Sequence, residues 1–138
     1  DYYQMMRLKD ITNGEMNIIN GPDEMLLMGL SAGADGGIGT TYNFMFDIIR
    51  DIYDNFVKGD LETAREYQTR AIRIISVLLN YKIIPAAKAV LEAQGYAVGN
   101  ATFPMKRYTD EEKATIDKKK NSQCSNIIGV WFDSAALW

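Results

Sequence analysis

IINGPDEMLLMGLSAGADGGIGTTYNFM, residues Ile18 to Met45, is the stretch whose reading decides the fold. Its pattern predicts a short strand at Asn17–Asn20, a helix at Asp23–Ala32, a second strand at Ala34–Gly36 and a long helix opening after Gly39. Two polar clusters, Asp23-Glu24 and Thr40-Thr41, each follow a strand and open a helix. That is the layout of an α/β protein, where functional groups sit on loops at the carboxyl ends of parallel strands. Pro22 suits a helix start because its missing N–H is not needed there. Asp23 and Glu24 put negative charge where the helix dipole favours it.

Gly33–Gly39 holds four glycines in seven residues. A Walker A loop needs lysine after its last glycine, and Thr40 stands there instead; the dinucleotide fingerprint spacing is also absent. Both phosphate-binding readings are therefore excluded. Such a run allows close backbone approach and positive φ, beside a ligand or inside a tightly packed strand end.

Outward from this stretch the chain is helical. Asp1–Thr12 reads as the tail of a helix, with Tyr2, Met5, Met6 and Leu8 on one side and Asn13-Gly14 ending it. Thr40 or Thr41 opens a helix to about Lys58 with Phe44, Ile48, Ile49, Ile52, Tyr53 and Phe56 at helical spacing. Gly59 ends it and Asp60 caps the next, Leu61 to about Asn80, with apolar positions Leu61, Ala64, Ala71, Ile72, Ile75, Leu78 and Leu79. Pro85–Gln94 is a further helix, and Thr109 to Glu112 forms a capping box for a last one, Asp110–Lys119. Asn121–Trp138 shows no helical period and carries Trp131, Phe132 and Trp138. Two strands cannot close a (β/α)8 barrel, since closure links strand number, tilt and shear.

A formal charge of −3 argues against a nucleic-acid partner, which needs a basic stripe. A single cysteine, Cys124, excludes an intrachain disulfide and, with no histidine, leaves no metal centre of the usual kinds. This cysteine usage fits a reducing, cytoplasmic setting. No apolar stretch reaches membrane-spanning length, so no membrane association is expected. The opening DYYQMMRLKD has no signal-peptide pattern and reads as the middle of a longer chain.

Asn20-Gly21, Asp23-Glu24, Gly33 to Gly39 and Thr40-Thr41-Tyr42-Asn43 together resemble the N-acetylneuraminate lyase branch of the class I, Schiff-base aldolases, whose superfamily includes dihydrodipicolinate synthase. The likeness runs from Asp1 to about Lys119. It implies the carboxyl-terminal part of a (β/α)8 TIM barrel: residues 1–58 as its last two β/α units, 59–120 as a helical bundle, and 121–138 as a divergent tail. The isolated chain is expected to be mostly helical. Such an enzyme would cleave N-acetylneuraminate to N-acetylmannosamine and pyruvate without metal or organic cofactor.

Taken alone, Asp23 and Glu24 read as helix-start carboxylates or as acceptors for a polyol. The resemblance favours the second and implies substrate contacts at Gly21, Asp23, Glu24, Gly39 and Thr40, the last replacing a family serine. It implies no catalytic residue within this chain, because the imine-forming lysine lies a few residues before Asp1. Lys9 falls near the end of the first helix, and Lys58, Lys82 and Lys88 fall on support helices and read as solvated. A homo-oligomer, or a complex with the preceding part of the barrel, is the expected assembly. The competing expectation is a non-catalytic helical protein, derived from a lyase gene, that associates through Met-rich and aromatic faces.

Overall fold

Two short strands and the helices that follow them set the frame. In the computed structural model, which describes residues 1–125, β1 (Ile19–Asn20) and β2 (Gly36–Gly37) pair in parallel, Ile19 opposite Gly36 and Asn20 opposite Gly37. Flanking backbone bonds extend the pairing: Asp35 N–H donates to Ile18 C=O at 2.8 Å and Ile38 N–H to Asn20 C=O at 2.9 Å. The strands are shorter than the sequence reading, and β2 begins two residues later and ends one later. Ala34 still belongs to the helix end, donating to Gly29 C=O after Gly33 turns at φ +95°. Ile18 gives its N–H to the Asp35 carboxylate rather than to a neighbouring strand.

The connection from β1 to β2 is helical, but not as one piece. A 3-10 turn at Asp23–Met25 precedes α2 (Leu26–Ser31), and Met25 breaks the helical path at φ −127°. The expected helix Asp23–Ala32 is thus divided, which leaves the two carboxylates on a tight turn instead of an α-helical first turn.

Before the strands lies α1 (Tyr2–Ile11), capped by Asp1, with no buried residue. After them, α3 (Tyr42–Lys58) begins beyond both threonines and bends at Met45, φ −138°. Gly59 ends it in the left-handed region at φ +81°, and Asp60 caps α4 (Leu61–Leu78) through Thr63 N–H at 3.0 Å. α5 (Ile83–Ala93) begins ahead of Pro85, which is tolerated because the first turn has no intrahelical use for that N–H. The Thr109–Glu112 capping box forms in both directions, at 2.9 and 3.2 Å, and opens α6 (Asp110–Ser125).

α6 runs beyond the expected end at Lys119 because Ile116, Lys120 and Cys124 recur every fourth residue. Ile116 and Lys120 are buried and Cys124 packs against the same core. Trp131, Phe132 and Trp138 lie outside the described residues.

The core is continuous. Leu26, Leu27 and Leu30 of α2, Phe44, Ile48, Ile49 and Ile52 of α3, and Ala71, Ile75 and Leu78 of α4 meet Val90 of α5 and Ile116 of α6. The outcome is a mostly helical α/β unit around a small open parallel sheet. On α4 the buried stripe is rotated from the expected one: Gln68 and Ile74 are inside, whereas Leu61, Ile72 and Leu79 face outward.

Candidate functional site

The carboxyl ends of β1 and β2 lead into two loops, Gly21–Glu24 and Ile38–Thr41, and Asp23 joins them. Asp23 is buried, and its Oδ2 accepts from the Thr41 hydroxyl at 2.6 Å and from Thr41 N–H at 2.9 Å. Its other oxygen, Oδ1, has no hydrogen-bond partner among the described residues and lies against the Gly39 Cα. A Cβ on Gly39 would collide with that carboxylate. Asp23, Gly39 and Thr41 are therefore brought together as one contact, with Gly39 required by close approach and not by positive φ.

The turn is held from behind as well. Gln68 of α4 accepts from Leu27 N–H at 2.8 Å and donates to Asp23 C=O at 3.3 Å. Tyr2 of α1 donates its hydroxyl to Met25 C=O at 3.3 Å. Burial, reinforced by the nearby charge of Glu24, raises the Tyr2 pKa. Asn20, buried at the end of β1, donates to Pro22 C=O at 2.8 Å while its own Oδ1 stays unpaired against Gly29.

Three of the expected site residues face out. Among the described residues, Gly21 is exposed with open space above its Cα, Glu24 is exposed without a hydrogen bond, and the side chain of exposed Thr40 has no partner while its carbonyl accepts from Asn43 Nδ2 at 2.9 Å. What remains unengaged around this turn is one Asp23 oxygen, the Glu24 carboxylate and the Thr40 hydroxyl. Carboxylates that accept from hydroxyls, with a hydroxyl beside them, suit a polar, hydroxyl-rich ligand.

Sequence reasoning missed Thr41, Tyr42 and Gln68. The threonine doublet drew attention to Thr40, while its neighbour makes the inward contact. Tyr42 places a buried hydroxyl without a partner beside Gly37, 2.5 Å from where a Cβ there would stand. Desolvation first, and the Asp23 charge second, push its pKa up to about 12. Gln68 had a legible signal, as the one amide on the stripe of Ala64, Ala71 and Ile75.

Lys9 is committed to structural contacts. It bonds both oxygens of Asp35, at 2.7 and 2.9 Å, and Met16 C=O at 2.9 Å, at the amino-terminal end of the strands. Tyr3 is 67% exposed and does not pack the helix.

This open pair of β/α units, with a loop-borne polar cluster at the carboxyl strand ends, is the class of fragment expected from a barrel enzyme. The chain belongs to the dihydrodipicolinate synthetase family, whose model matches residues 1–123. Among curated proteins it is 35% identical over 116 residues to N-acetylneuraminate lyase of Rhizobium meliloti (strain 1021), covering 84% of this chain and 38% of that protein. To the lyase of Clostridium perfringens (strain SM101 / Type A) it is 36% identical over 122 residues, covering 87% and 42%.

Among solved structures, Proteus mirabilis N-acetylneuraminate lyase superposes with a TM-score of 0.81 at 29% identity, covering 89% of this chain and 42% of that one. CdNal from Clostridium difficile, solved in complex with mannosamine, gives 0.82 at 29% identity with the same coverage. The catalytic lysine mutant of Ruminococcus gnavus sialic acid aldolase gives 0.82 at 25% identity, covering 91% and 42%. The chain spans about two fifths of the length of these relatives.

Proposed function

We propose that this chain is the carboxyl-terminal part of an N-acetylneuraminate lyase, and that it supplies the sugar-side contacts of the active site. The observation that carries this reading is the turn after β1. Its backbone is fixed by Gln68, Tyr2 and the Asp23–Thr41 contact, yet among the described residues Asp23 Oδ1, Glu24 and the Thr40 hydroxyl are left uncommitted, with open space over Gly21. Rigid backbone with unused acceptors is what positioning of a substrate requires. Gly21, Asp23, Glu24, Gly39 and Thr40 would then hold the hydroxylated chain of N-acetylneuraminate, Gly39 through its backbone.

The bond-breaking step belongs to a lysine outside this chain. Its amine forms an imine with the substrate ketone. The protonated imine accepts the electron pair of the breaking carbon–carbon bond, giving the enamine of pyruvate, while the hydroxyl on the departing carbon gives its proton to a general base and becomes the aldehyde of N-acetylmannosamine; protonation of the enamine carbon and hydrolysis by water then release pyruvate and the lysine amine. Completion of the barrel is part of the proposal. Within the described residues each strand has one unpaired edge, α1 buries nothing, and Ile38 and Phe46 are 70% and 58% exposed. The preceding part of the barrel would cover these surfaces.

Borohydride reduction in the presence of pyruvate tests the reading. The full-length protein is expected to trap one pyruvate on a lysine preceding Asp1, and the 138-residue chain alone to trap none. A stoichiometric adduct on any lysine of this chain would overturn the assignment. Sedimentation of the isolated chain at micromolar concentration should show an oligomer; a compact monomer would contradict the unfinished-barrel interpretation.

A further inference from the structure

Gln68 grips the substrate-side turn from the helical extension. It is 3% exposed, on a stripe otherwise made by Ala64, Ala71 and Ile75. An amide in such a place is tolerated when both of its ends are used, because an unpaired buried amide is costly. Here both are. Oε1 takes the N–H of Leu27, one of the donors that a helix start leaves without an intrahelical partner, and Nε2 reaches the carbonyl of Asp23. Asp23 is the first residue of the 3-10 turn, and Leu27 lies just past its end. One side chain thus spans the turn and fixes its two ends relative to each other, across separations of 41 and 45 residues.

We infer that Gln68 is a positioning residue for sugar-chain selectivity: by spanning the turn it sets where Asp23 Oδ1 and Glu24 stand, an inference that rests on the substrate-side reading above. Gln68 points into the core behind the turn and does not face the ligand. Its loss therefore changes recognition of the hydroxylated chain and leaves imine formation with pyruvate intact. The inference also gives the helical extension a part in the active site beyond covering the core.

The test uses the full-length enzyme carrying this segment, with kcat/KM measured for N-acetylneuraminate and for a short 4-hydroxy-2-oxo acid. Gln68→Met removes both hydrogen bonds at similar side-chain length. It is expected to lower the value for N-acetylneuraminate about tenfold, mainly through KM, and that for the short substrate by no more than about twofold. Gln68→Glu keeps the acceptor for Leu27 and loses the donor to Asp23, so its selectivity should fall between the two. It carries the same test should Gln68→Met fail to fold. Val90→Ala, a buried truncation on α5, controls for destabilisation and should leave the substrate ratio unchanged. A parent preference for the long chain that survives in both Gln68 variants overturns this inference alone, even if they melt earlier. An equal shift in Val90→Ala overturns it too. A parent enzyme with no preference for the long chain overturns the substrate reading, and this inference with it.

Discussion

The two ends of the β1–β2 pair are each closed by an aspartate, and the two closures differ in kind. At the amino-terminal end Asp35 accepts from Ile18 N–H at 2.7 Å and pairs with Lys9 at 2.7 Å, on a side chain 44% exposed. At the carboxyl-terminal end Asp23 is buried and meets only neutral donors, the hydroxyl and N–H of Thr41. The exposed ion pair uses up its carboxylate. The buried contact leaves one oxygen over, next to an exposed glutamate. At one end both carboxylate oxygens serve the structure, whereas the other end keeps acceptors in reserve, as the proposed binding surface requires.

The largest effect is expected from Asp23→Ala. It strands the Thr41 hydroxyl and N–H in a buried place, and charge-assisted bonds of this kind make the cost roughly 3 kcal/mol, read as a shift in urea midpoint. Gly39→Ala should follow at about 2 kcal/mol, since its methyl must displace the Asp23 carboxylate or the loop. Thr41→Val keeps the N–H bond and loses the hydroxyl, at roughly 1.5 kcal/mol. Asp35→Asn should do least, because the amide oxygen can still accept from Ile18 and an exposed ion pair contributes little. An Asp35→Asn loss as large as that of Asp23→Ala would erase the distinction between the ends.

Titration separates the ends further. Hydrogen bonds from Lys9, then from Ile18, hold Asp35 below the usual carboxylate range. The stability it contributes is therefore present above the unfolded carboxylate pKa and is lost as pH falls through the lower folded value. Amide exchange at Ile18 should accelerate as pH falls through that lower value. Tyr42 works in the opposite sense: its folded pKa is raised from 10.0 to about 12, so its contribution is complete below pH 10.0 and is lost as pH rises toward about 12. Alkali should loosen the carboxyl-terminal end as pH rises toward about 12, and Tyr42→Phe should shrink that alkaline phase to the part due to Tyr2, whose pKa is also raised.

Much of this is legible in the sequence. The glycine run, the threonine doublet and the Asp-Glu pair located both loops, because strand-to-helix punctuation is local chemistry. Cap residues Asp60 and Gly59 and the Thr109 box were readable for the same reason. Less legible was anything set by packing at a distance. The rotation of the α4 stripe that buries Gln68, the bend at Met45 and the division of the Asp23–Ala32 helix depend on partners far along the chain. Adjacent Asp23 and Glu24 looked equivalent in sequence; only their placement shows one turned inward onto Thr41 and the other left in solvent.

The most direct test of the carboxyl-terminal end as a sugar-binding surface is Glu24→Gln in the full-length enzyme, assayed on N-acetylneuraminate and on a short 4-hydroxy-2-oxo acid. Glu24 makes no hydrogen bond among the described residues, so the change should leave the melting temperature nearly untouched. The expected result is a loss of about tenfold to a hundredfold in kcat/KM for N-acetylneuraminate, with the short substrate and the borohydride-trapped pyruvate adduct little changed. Equal losses on both substrates, or no loss on either, would contradict the assignment of this end to the sugar chain.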